Sequence, residues 1–211
     1  MSARPEPRTP HPIERASYRI VRSLVDLPAL GLGPLSCAVA ERVIHASADL
    51  GYATDLVLDE GALAAGLAAL RRGAPVVVDA RMVAAGITRV PTICALDLAA
   101  APLGGAAAPT RAAAGMRAAA HQVGSGAIWV IGCAPTALAE LLALRPEPAL
   151  VIGLPVGFVG AVEAKHALAA SGLPAVTNRS PKGGSAVAAA ALNALLYLQD
   201  PDRQRRVEGE P

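Results

Sequence analysis

Residues 127–144 read AIWVIGCAPTALAELLAL and contain the clearest indication of the fold class. Its first five residues are apolar, rich in β-branched side chains and free of polar alternation, which is typical of a parallel strand covered on both faces. Glycine and proline interrupt the pattern between Gly132 and Thr136, and a helical pattern then runs to Leu144. A strand, a loop and a helix in this order form a βα unit, which predicts a parallel sheet packed between helices.

The same pattern recurs along the chain. Four other short apolar runs predict strands: Val76–Asp79, Thr92–Leu96, Leu150–Leu154 and Ala175–Thr177. Helical patterns alternate with them: Gly61–Arg72, Ala80–Ala85, Arg111–Val123, Val159–Ala170 and Ser185–Leu198. Two additional N-terminal helices, Ile13–Leu24 and Pro34–Leu50, are predicted to pack outside this core. The alternation predicts an α/β fold.

The domain organisation is simple. We predict one α/β domain over residues 13–199, between polar, proline-containing tails at residues 1–12 and 200–211. The segment Ala99–Pro109 is rich in alanine, glycine and proline and has no charge, so we predict a mobile surface loop there.

The composition excludes several classes of protein. The 211 residues are 53% apolar with a formal net charge of +2, which excludes an intrinsically disordered chain. One Trp, three Tyr and one Phe are too few for aromatic stacking on single-stranded nucleic acid, and there is no basic block for duplex binding. We also predict no membrane span and no secretory leader. Three widely spaced cysteines indicate reduced thiols in a cytoplasmic protein.

The familiar cofactor and nucleophile motifs are absent from the sequence. No G-x-G-x-x-G follows a predicted strand, and there is neither a Walker A motif nor a G-x-S-x-G elbow. The four histidines are scattered and form no Cys/His cluster. We therefore predict no nucleotide cofactor and no metal.

His45 is the candidate acid or base. Arg42 lies three residues before it and Asp49 four residues after it, so a continuous helix would place all three on one face. A carboxylate favours the protonated imidazole and a guanidinium disfavours it, which would suit a histidine in acid–base work. From spacing alone, an ordinary polar helix face with a solvated ion pair stays equally open.

Two helix starts are candidate anion sites, since ligands bind at the carboxyl ends of parallel strands. Thr110 and Arg111 open one helix, and either an anion site or a simple cap with a surface arginine fits them. A second helix follows a stretch that combines cations, bare amides and a hydroxyl, where we favour anion binding: Arg179, Lys182, Gly183, Gly184 and Ser185.

Two aspartates end predicted strands. Asp79 and Asp97 are compatible with ligand binding, and for Asp97 we favour a role as the cap of the following helix.

Several blocks of the sequence resemble the signatures of the precorrin-8X methylmutase family. They follow the family's order over nearly the whole chain: residues 42–49 (RVIHASAD), 79–87 (DARMVAAGI), 110–111 (TR), 132–138 (GCAPTAL), 153–161 (GLPVGFVGA) with Glu163 and Lys165, and 182–185 (KGGS). The fourth and fifth blocks are long and unusual, so the resemblance is specific.

The resemblance implies a fold and an activity. The fold would be flavodoxin-like, with three layers around a parallel sheet, in a homodimer. The activity would be that of an isomerase of cobalamin biosynthesis, which moves a methyl group from C-11 to C-12 of precorrin-8X to give hydrogenobyrinate, or does the same on the cobalt-containing macrocycle. Such a shift needs no redox cofactor, metal or external methyl donor, so a single general acid suffices.

The resemblance also implies roles for residues. His45 matches the family's catalytic histidine, and Ser17 matches a serine that contacts substrate. We expect His45 to act as an imidazolium that Asp49 favours. The remaining candidates would bind the carboxylates or cover the ring of the substrate: Arg42, Met82, Thr110, Arg111, Val156, Phe158, Lys182, Gly183, Gly184 and Ser185.

The chain departs from the family's usual pattern at Tyr18, Ala80, Cys133 and Lys182, where Phe, Thr, Asn and Arg are more common. Two other functions stay open at this stage. A non-catalytic tetrapyrrole-binding protein would use the same cleft without the histidine chemistry, and a flavodoxin-like nucleotide or flavin binder would have a similar fold.

Overall fold

Six strands form one sheet at the centre of the computed structural model, which describes residues 11–99 and 110–199. They are β1 (Leu56–Leu58), β2 (Val76–Val78), β3 (Thr92–Cys94), β4 (Ile128–Ile131), β5 (Leu150–Gly153) and β6 (Ala175–Asn178), in the order β1-β6-β5-β4-β2-β3. Strands β2 to β6 are mutually parallel. The α/β class with a largely parallel sheet, predicted from the βα alternation, is confirmed.

Helices cover both faces of this sheet. They are α1 (Pro12–Leu24), α2 (Pro34–Ser47), α3 (Tyr52–Asp55), α4 (Glu60–Arg71), α5 (Arg81–Gly86), α6 (Ala95–Leu98), α7 (Arg111–Val123), α8 (Pro135–Leu144), α9 (Ala161–Ala170) and α10 (Ser185–Leu198), with a 3₁₀ turn at Pro28–Leu30. On each strand, alternate side chains point to opposite faces. Val76 and Val78 pack with α2, α4, α5 and α10, whereas Val77 packs with α7, α8 and α9. The molecule therefore has three layers.

Helix α10 is the centre of one outer layer. Ten of its residues, from Val187 to Leu196, are buried, as a helix that is apolar on all sides requires. Small side chains let its neighbours approach closely: a Cβ built on Gly86 would lie 2.7 Å from the Cβ of Ala189. The abundance of alanine is thus used for close packing between helices.

Most predicted strands and helices agree with the structure, but the short helix α3 and the 3₁₀ turn at Pro28–Leu30 were not predicted. Three further differences concern β1, β3 and α2. Strand β1, antiparallel to β6, was not predicted, because it is defined by its pairing with a segment distant in sequence. The strand predicted over Thr92–Leu96 ends at Cys94, where α6 begins. The helix predicted over Pro34–Leu50 ends at Ser47, because Ala48 adopts a left-handed backbone conformation (φ 54°).

The folded domain begins one residue earlier than predicted. Helix α1 begins at Pro12, with His11 as its N-cap, so it includes a residue that we assigned to the first tail. Residues 1–10, 200–211 and the predicted loop Ala99–Pro109, apart from Ala99, lie outside the described residues.

Candidate functional site

The strand order reverses at β2, which lies between β3 and β4, and this is where open α/β sheets place their ligand crevice. Buried Asp79 follows β2, and its carboxylate accepts backbone N–H bonds from Gly132 at 3.0 Å, Cys133 at 2.8 Å and Ala134 at 2.8 Å. Burial raises the pKa of Asp79, and the three amide bonds oppose that effect. Asp79 therefore organises the loop after β4, and its acceptor oxygens are already used.

His45 lies in the last turn of α2 and contacts two residues of α1. Its Nδ1 is 2.7 Å from the hydroxyl oxygen of Ser17, and its ring lies 5.0 Å from the ring of Tyr18, centroid to centroid. Among the residues that the structure describes, no group bonds to Nε2 of His45. Ser17 thus fixes one nitrogen of the imidazole and leaves the other available to a ligand.

Arg42 holds α1 in place beside His45. Its Nη1 donates to a carboxylate oxygen of Glu14 at 3.0 Å and to the hydroxyl of Tyr18 at 2.7 Å, and its guanidinium lies 4.1 Å from the ring centroid of Tyr197. Burial raises the pKa of Tyr18, so its phenol stays protonated at neutral pH. The predicted contact of Arg42 with substrate stays a prediction, since the guanidinium serves these internal partners.

Asp49 does not pair with His45, so that expectation is wrong. Because α2 ends at Ser47, Asp49 leaves the helix face, and its carboxylate accepts a hydrogen bond from Nζ of Lys182 at 2.8 Å. This bond, together with the amide of Gly51, lowers the pKa of Asp49. The pair joins the end of α2 to the loop before α10, and so brings His45 to the carboxyl edge of the sheet.

The predicted anion site at residues 182–185 is only partly free. Gly184 donates its amide to the carbonyl oxygen of Leu154 at 2.9 Å, so this amide is not bare as expected. The amide of Gly183 finds no acceptor among residues 11–99 and 110–199. A Cβ on Gly183 would lie 2.3 Å from the oxygen of Leu154, so only glycine fits there. The hydroxyl of Ser185 is 2.8 Å from Sγ of Cys133.

The second candidate anion site lies at the start of α7. The hydroxyl oxygen of Thr110 accepts a hydrogen bond from the backbone N–H of Ala113 at 3.2 Å. The same oxygen lies 2.8 Å from the hydroxyl oxygen of Thr136. Arg111 is exposed beside this cap. Both interpretations of the pair therefore stay open.

Asp97 is not a helix cap, so that prediction is wrong. It lies inside α6 and forms an ion pair with Arg81 at 2.8 Å. The strand that it was predicted to end stops three residues earlier, at Cys94.

Exposed apolar side chains follow strands β2 and β5 at the same edge. Met82 is 70% exposed, Phe158 97% and Val159 88%, and Val156 is also exposed. Apolar groups that cluster on a surface usually meet a ligand or another chain. They lie at the same edge of the sheet as the polar groups described above, so exposed apolar side chains and hydrogen-bond donors are both available there.

The described part of the chain offers neither a metal-binding cluster nor a membrane-spanning helix. No three His, Cys, Asp or Glu residues there are placed to share a metal ion. No helix there has the length and apolar character needed to cross a membrane.

The precorrin-8X methylmutase family model matches residues 12–198 of the chain. The chain belongs to the precorrin-8X methylmutase family. The resemblance noted in the sequence blocks is thereby confirmed.

Individual members of the methylmutase family are similar over nearly their whole length. A precorrin-8X methylmutase of Pseudomonas aeruginosa is 44% identical over 196 residues, which cover 87% of this chain and 93% of that protein. A cobalt-precorrin-8 methylmutase of Methanothermobacter thermautotrophicus is 42% identical over 191 residues, covering 88% and 92%. The crystal structure of a precorrin-8X methylmutase from Thermus thermophilus superposes with a TM-score of 0.76 at 34% identity, covering 93% and 96%.

Three departures from the methylmutase pattern have visible structural effects. Ala80 precedes α5 and offers no side chain to cap it. Cys133 places its thiol against Ser185, and burial raises the pKa of that thiol. Lys182 reaches Asp49 with one nitrogen and lies 4.7 Å from the ring centroid of Tyr52.

No role was predicted for Asp55 or Asn178, and Lys165 was noted only with one of the family blocks, yet all three shape the loop before α10. Asp55 and Lys165 bond to this loop from two other elements, and Asn178 begins it at the end of β6. Asn178 is a polar residue at the end of a strand, where a ligand loop is expected, so its position was a signal for a role in the site. Lys165 is the only lysine in its helix. Nothing in the spacing connects Asp55 with either of them.

Proposed function

We propose that this chain is an isomerase of cobalamin biosynthesis that moves a methyl group from C-11 to C-12 of precorrin-8X, giving hydrogenobyrinate, or performs the same shift on the cobalt-containing macrocycle. The observation that carries the proposal is the contact between Ser17 and His45 in a chain that matches the methylmutase family over residues 12–198. The reaction breaks the bond from C-11 to the methyl carbon and forms the bond from C-12 to it, so its atoms balance without a co-substrate.

His45 would act as the general acid. As an imidazolium it donates through Nδ1 to the Ser17 oxygen, which leaves the Nε2 proton for a ring nitrogen of the macrocycle. Protonating or hydrogen-bonding that nitrogen holds the ring in one tautomer and favours the methyl shift. General acid catalysis of this kind contributes about 10²–10⁴-fold to a rate.

The rim and the face of the macrocycle would be bound by different groups. The substrate carries many acetate and propionate carboxylates around an apolar ring. Arg111, Lys182 and the amide of Gly183 are the cations and the free donor available for carboxylates. Met82 and Phe158 are the exposed apolar groups available to cover the ring.

Replacing Arg111 tests the carboxylate contacts. We expect Arg111→Ala to weaken binding of the corrin product by about 1.5–3 kcal/mol, because a hydrogen bond to a charged partner is lost. Added salt should weaken binding to the wild type more than to the variant. Both effects are measurable by absorbance titration. Arg72→Ala is the control, since Arg72 is exposed at the end of α4, at the opposite edge of the sheet. Binding that is indifferent to both salt and Arg111→Ala would refute the contact.

The activity itself is tested with purified protein and each macrocycle in turn. Turnover changes the chromophore, so the ultraviolet–visible spectrum should move from substrate to product with at least one of the two. A spectrum that returns unchanged after release would indicate a non-catalytic tetrapyrrole-binding protein. A nucleotide or flavin released on denaturation would indicate the flavodoxin-like binder instead.

We further infer a homodimer, supported by an apolar stripe on α1. Ile13, Ile20 and Leu24 are 73%, 60% and 61% exposed, and their spacing places them on the same helix face as Ser17. We expect Ile20→Glu to give a monomer by size-exclusion chromatography with light scattering, because a charge would be buried at the interface. Arg15→Ala, on the opposite face, should leave the dimer intact. A dimer that persists in Ile20→Glu would remove α1 from the interface.

A cytoplasmic location is also part of the proposal. All three cysteines are unpaired thiols, as is usual in a reducing compartment.

A further inference from the structure

Lys165 is a buried lysine on α9 that the proposed chemistry does not use. A buried ammonium is costly unless its N–H groups are bonded. Its Nζ donates to Oδ1 of Asn178 at 3.0 Å, to the backbone oxygen of Lys182 at 2.7 Å and to the backbone oxygen of Ser180. These three acceptors match the three donors of the ammonium.

All three acceptors belong to the loop over residues 178–184, which begins with the last residue of β6 and ends before α10. The carboxylate of Asp55 holds the same loop from the other side. It accepts from the side-chain amide of Asn178 at 2.8 Å, and from the backbone amide and hydroxyl of Ser180 at 2.9 and 2.6 Å. The loop is therefore fixed between one buried cation and one anion.

This fixation determines where the amide of Gly183 points. The carbonyl of Lys182 and the N–H of Gly183 belong to one planar trans peptide unit, so they point in opposite directions. Because the carbonyl points inward to Lys165, the N–H points away from the buried side. The same unit sets the start of the Lys182 side chain, which reaches Asp49 at the edge that carries His45.

We propose that Lys165 is a positioning residue for substrate binding, which holds the loop over residues 178–184 in the form that presents the amide of Gly183 and the ammonium of Lys182 to a carboxylate of the substrate. This inference rests on the proposed function. His45 and Ser17 lie on other helices and make no contact with Lys165. Loss of the ammonium should therefore change affinity and leave the proton-transfer step largely intact.

A role in stability alone explains the lysine less well. Replacing a buried charge by an apolar side chain of similar volume is often neutral for stability. The ammonium selects one arrangement of the loop carbonyls, which an apolar side chain in the same space would not do. Stability and affinity should therefore respond differently to its removal.

The charges around Lys165 give a pH test that needs no variant. Burial lowers the pKa of Lys165 to about 8, and the charge of Asp55 opposes that effect. The loop carries Arg179 and Lys182, and α9 itself carries the exposed residues Glu163 and His166. Helix α8, which packs against α9, carries Glu140, which pairs with Arg117 at 2.7 Å. Strands β5 and β6 add no charged side chain. Above pH 8 a neutral amine donates two N–H bonds instead of three, which releases one loop carbonyl.

Affinity and stability should then move in opposite directions with pH. Affinity for the corrin product should fall as pH rises through about 8. An unfolded lysine keeps its proton up to a pH of about 10.4, so the unfolded chain binds more protons between these values, and this group makes the fold more stable as pH rises. If Lys165 had only a structural role, stability would change with pH and affinity for the corrin product would not.

The decisive experiment compares Lys165→Met with the wild type and with His166→Ala, an exposed neighbour on the same helix. We measure Kd for the corrin product by absorbance titration, kcat and KM, and hydrogen exchange of the amides of Lys182 and Gly184. We expect Lys165→Met to raise Kd and KM by about 10–100-fold, to keep kcat within about threefold of the wild type, and to speed exchange in the loop. His166→Ala should match the wild type.

The outcomes separate this inference from the proposed function. Unchanged Kd and unchanged exchange in Lys165→Met would overturn the positioning role, even with an active wild type. If Lys165→Met does not fold, a wild-type Kd that stays constant from pH 7 to pH 9 would overturn it. A wild type that turns over neither macrocycle overturns the proposed function, while product binding and exchange still decide the role of Lys165.

Discussion

His45→Ala should abolish turnover, lowering kcat by about 10²–10⁴-fold, while Kd for the corrin product stays within a few-fold of the wild type. The reason is that His45 presents the one ring nitrogen that Ser17 does not bond, whereas the proposed carboxylate and ring contacts lie on other elements. Single-turnover kinetics, followed by the absorbance change from substrate to product, measures the first quantity. Titration with the product measures the second.

Two further variants make this result specific. Ser17→Ala keeps the imidazole but removes the hydroxyl 2.7 Å from Nδ1, so we expect a smaller loss of kcat, about 10-fold. His121→Ala, on the exposed side of α7, should have no effect. If His45→Ala retained more than a tenth of the wild-type kcat, the general acid would have to be sought elsewhere.

Asp79→Ala should lower the free energy of unfolding by about 3–5 kcal/mol, since removing a buried, bonded charge leaves its partners without acceptors. The three partners are the backbone amides of Gly132, Cys133 and Ala134. Asp79→Asn keeps the shape and one oxygen, so its loss should be smaller, about 1–3 kcal/mol. Urea unfolding followed by circular dichroism measures both.

The control for this series is Asp97→Ala. Asp97 pairs with Arg81 on the surface, and exposed ion pairs contribute about 0–1 kcal/mol. An Asp79→Ala variant as stable as Asp97→Ala would show that the loop after β4 finds other acceptors for its amides.

Much of the fold was predictable from the sequence, because short apolar runs indicate the buried parallel strands. The helices between them are indicated by the helical periodicity of their apolar residues. The strand in residues 127–131 and the helix that follows it are present within one residue of the prediction. Strand β1 was not predictable in the same way. It exists because Leu56, Val57 and Leu58 pair with β6, a contact distant in sequence that no local pattern encodes.

The contacts between the candidate site residues were not predictable from their spacing. The family motifs pointed to Ser17 and His45 separately, and only the structure shows that the two side chains are 2.7 Å apart. The expected pair of His45 and Asp49 failed because a single left-handed residue, Ala48, ends α2 early. A prediction from spacing assumes a continuous helix. Helices that end in a left-handed residue usually have glycine or asparagine there, so an alanine gives no sign of the helix end. Lys182 therefore became the partner of Asp49.

The pairing of β1 with β6 also affects the order in which the chain can fold during its synthesis on the ribosome. Leu56 is synthesised early, but it can pair with Asn178 only after β6 has been synthesised. The hydrogen bond between Asp55 and Asn178 depends on the same segment. Contacts so distant in sequence close slowly. The nascent chain therefore keeps one edge of its sheet open until β6 has emerged, and it completes its layer of α10 last. A ribosome that stalls before that point holds a chain with neither a finished core nor a binding loop.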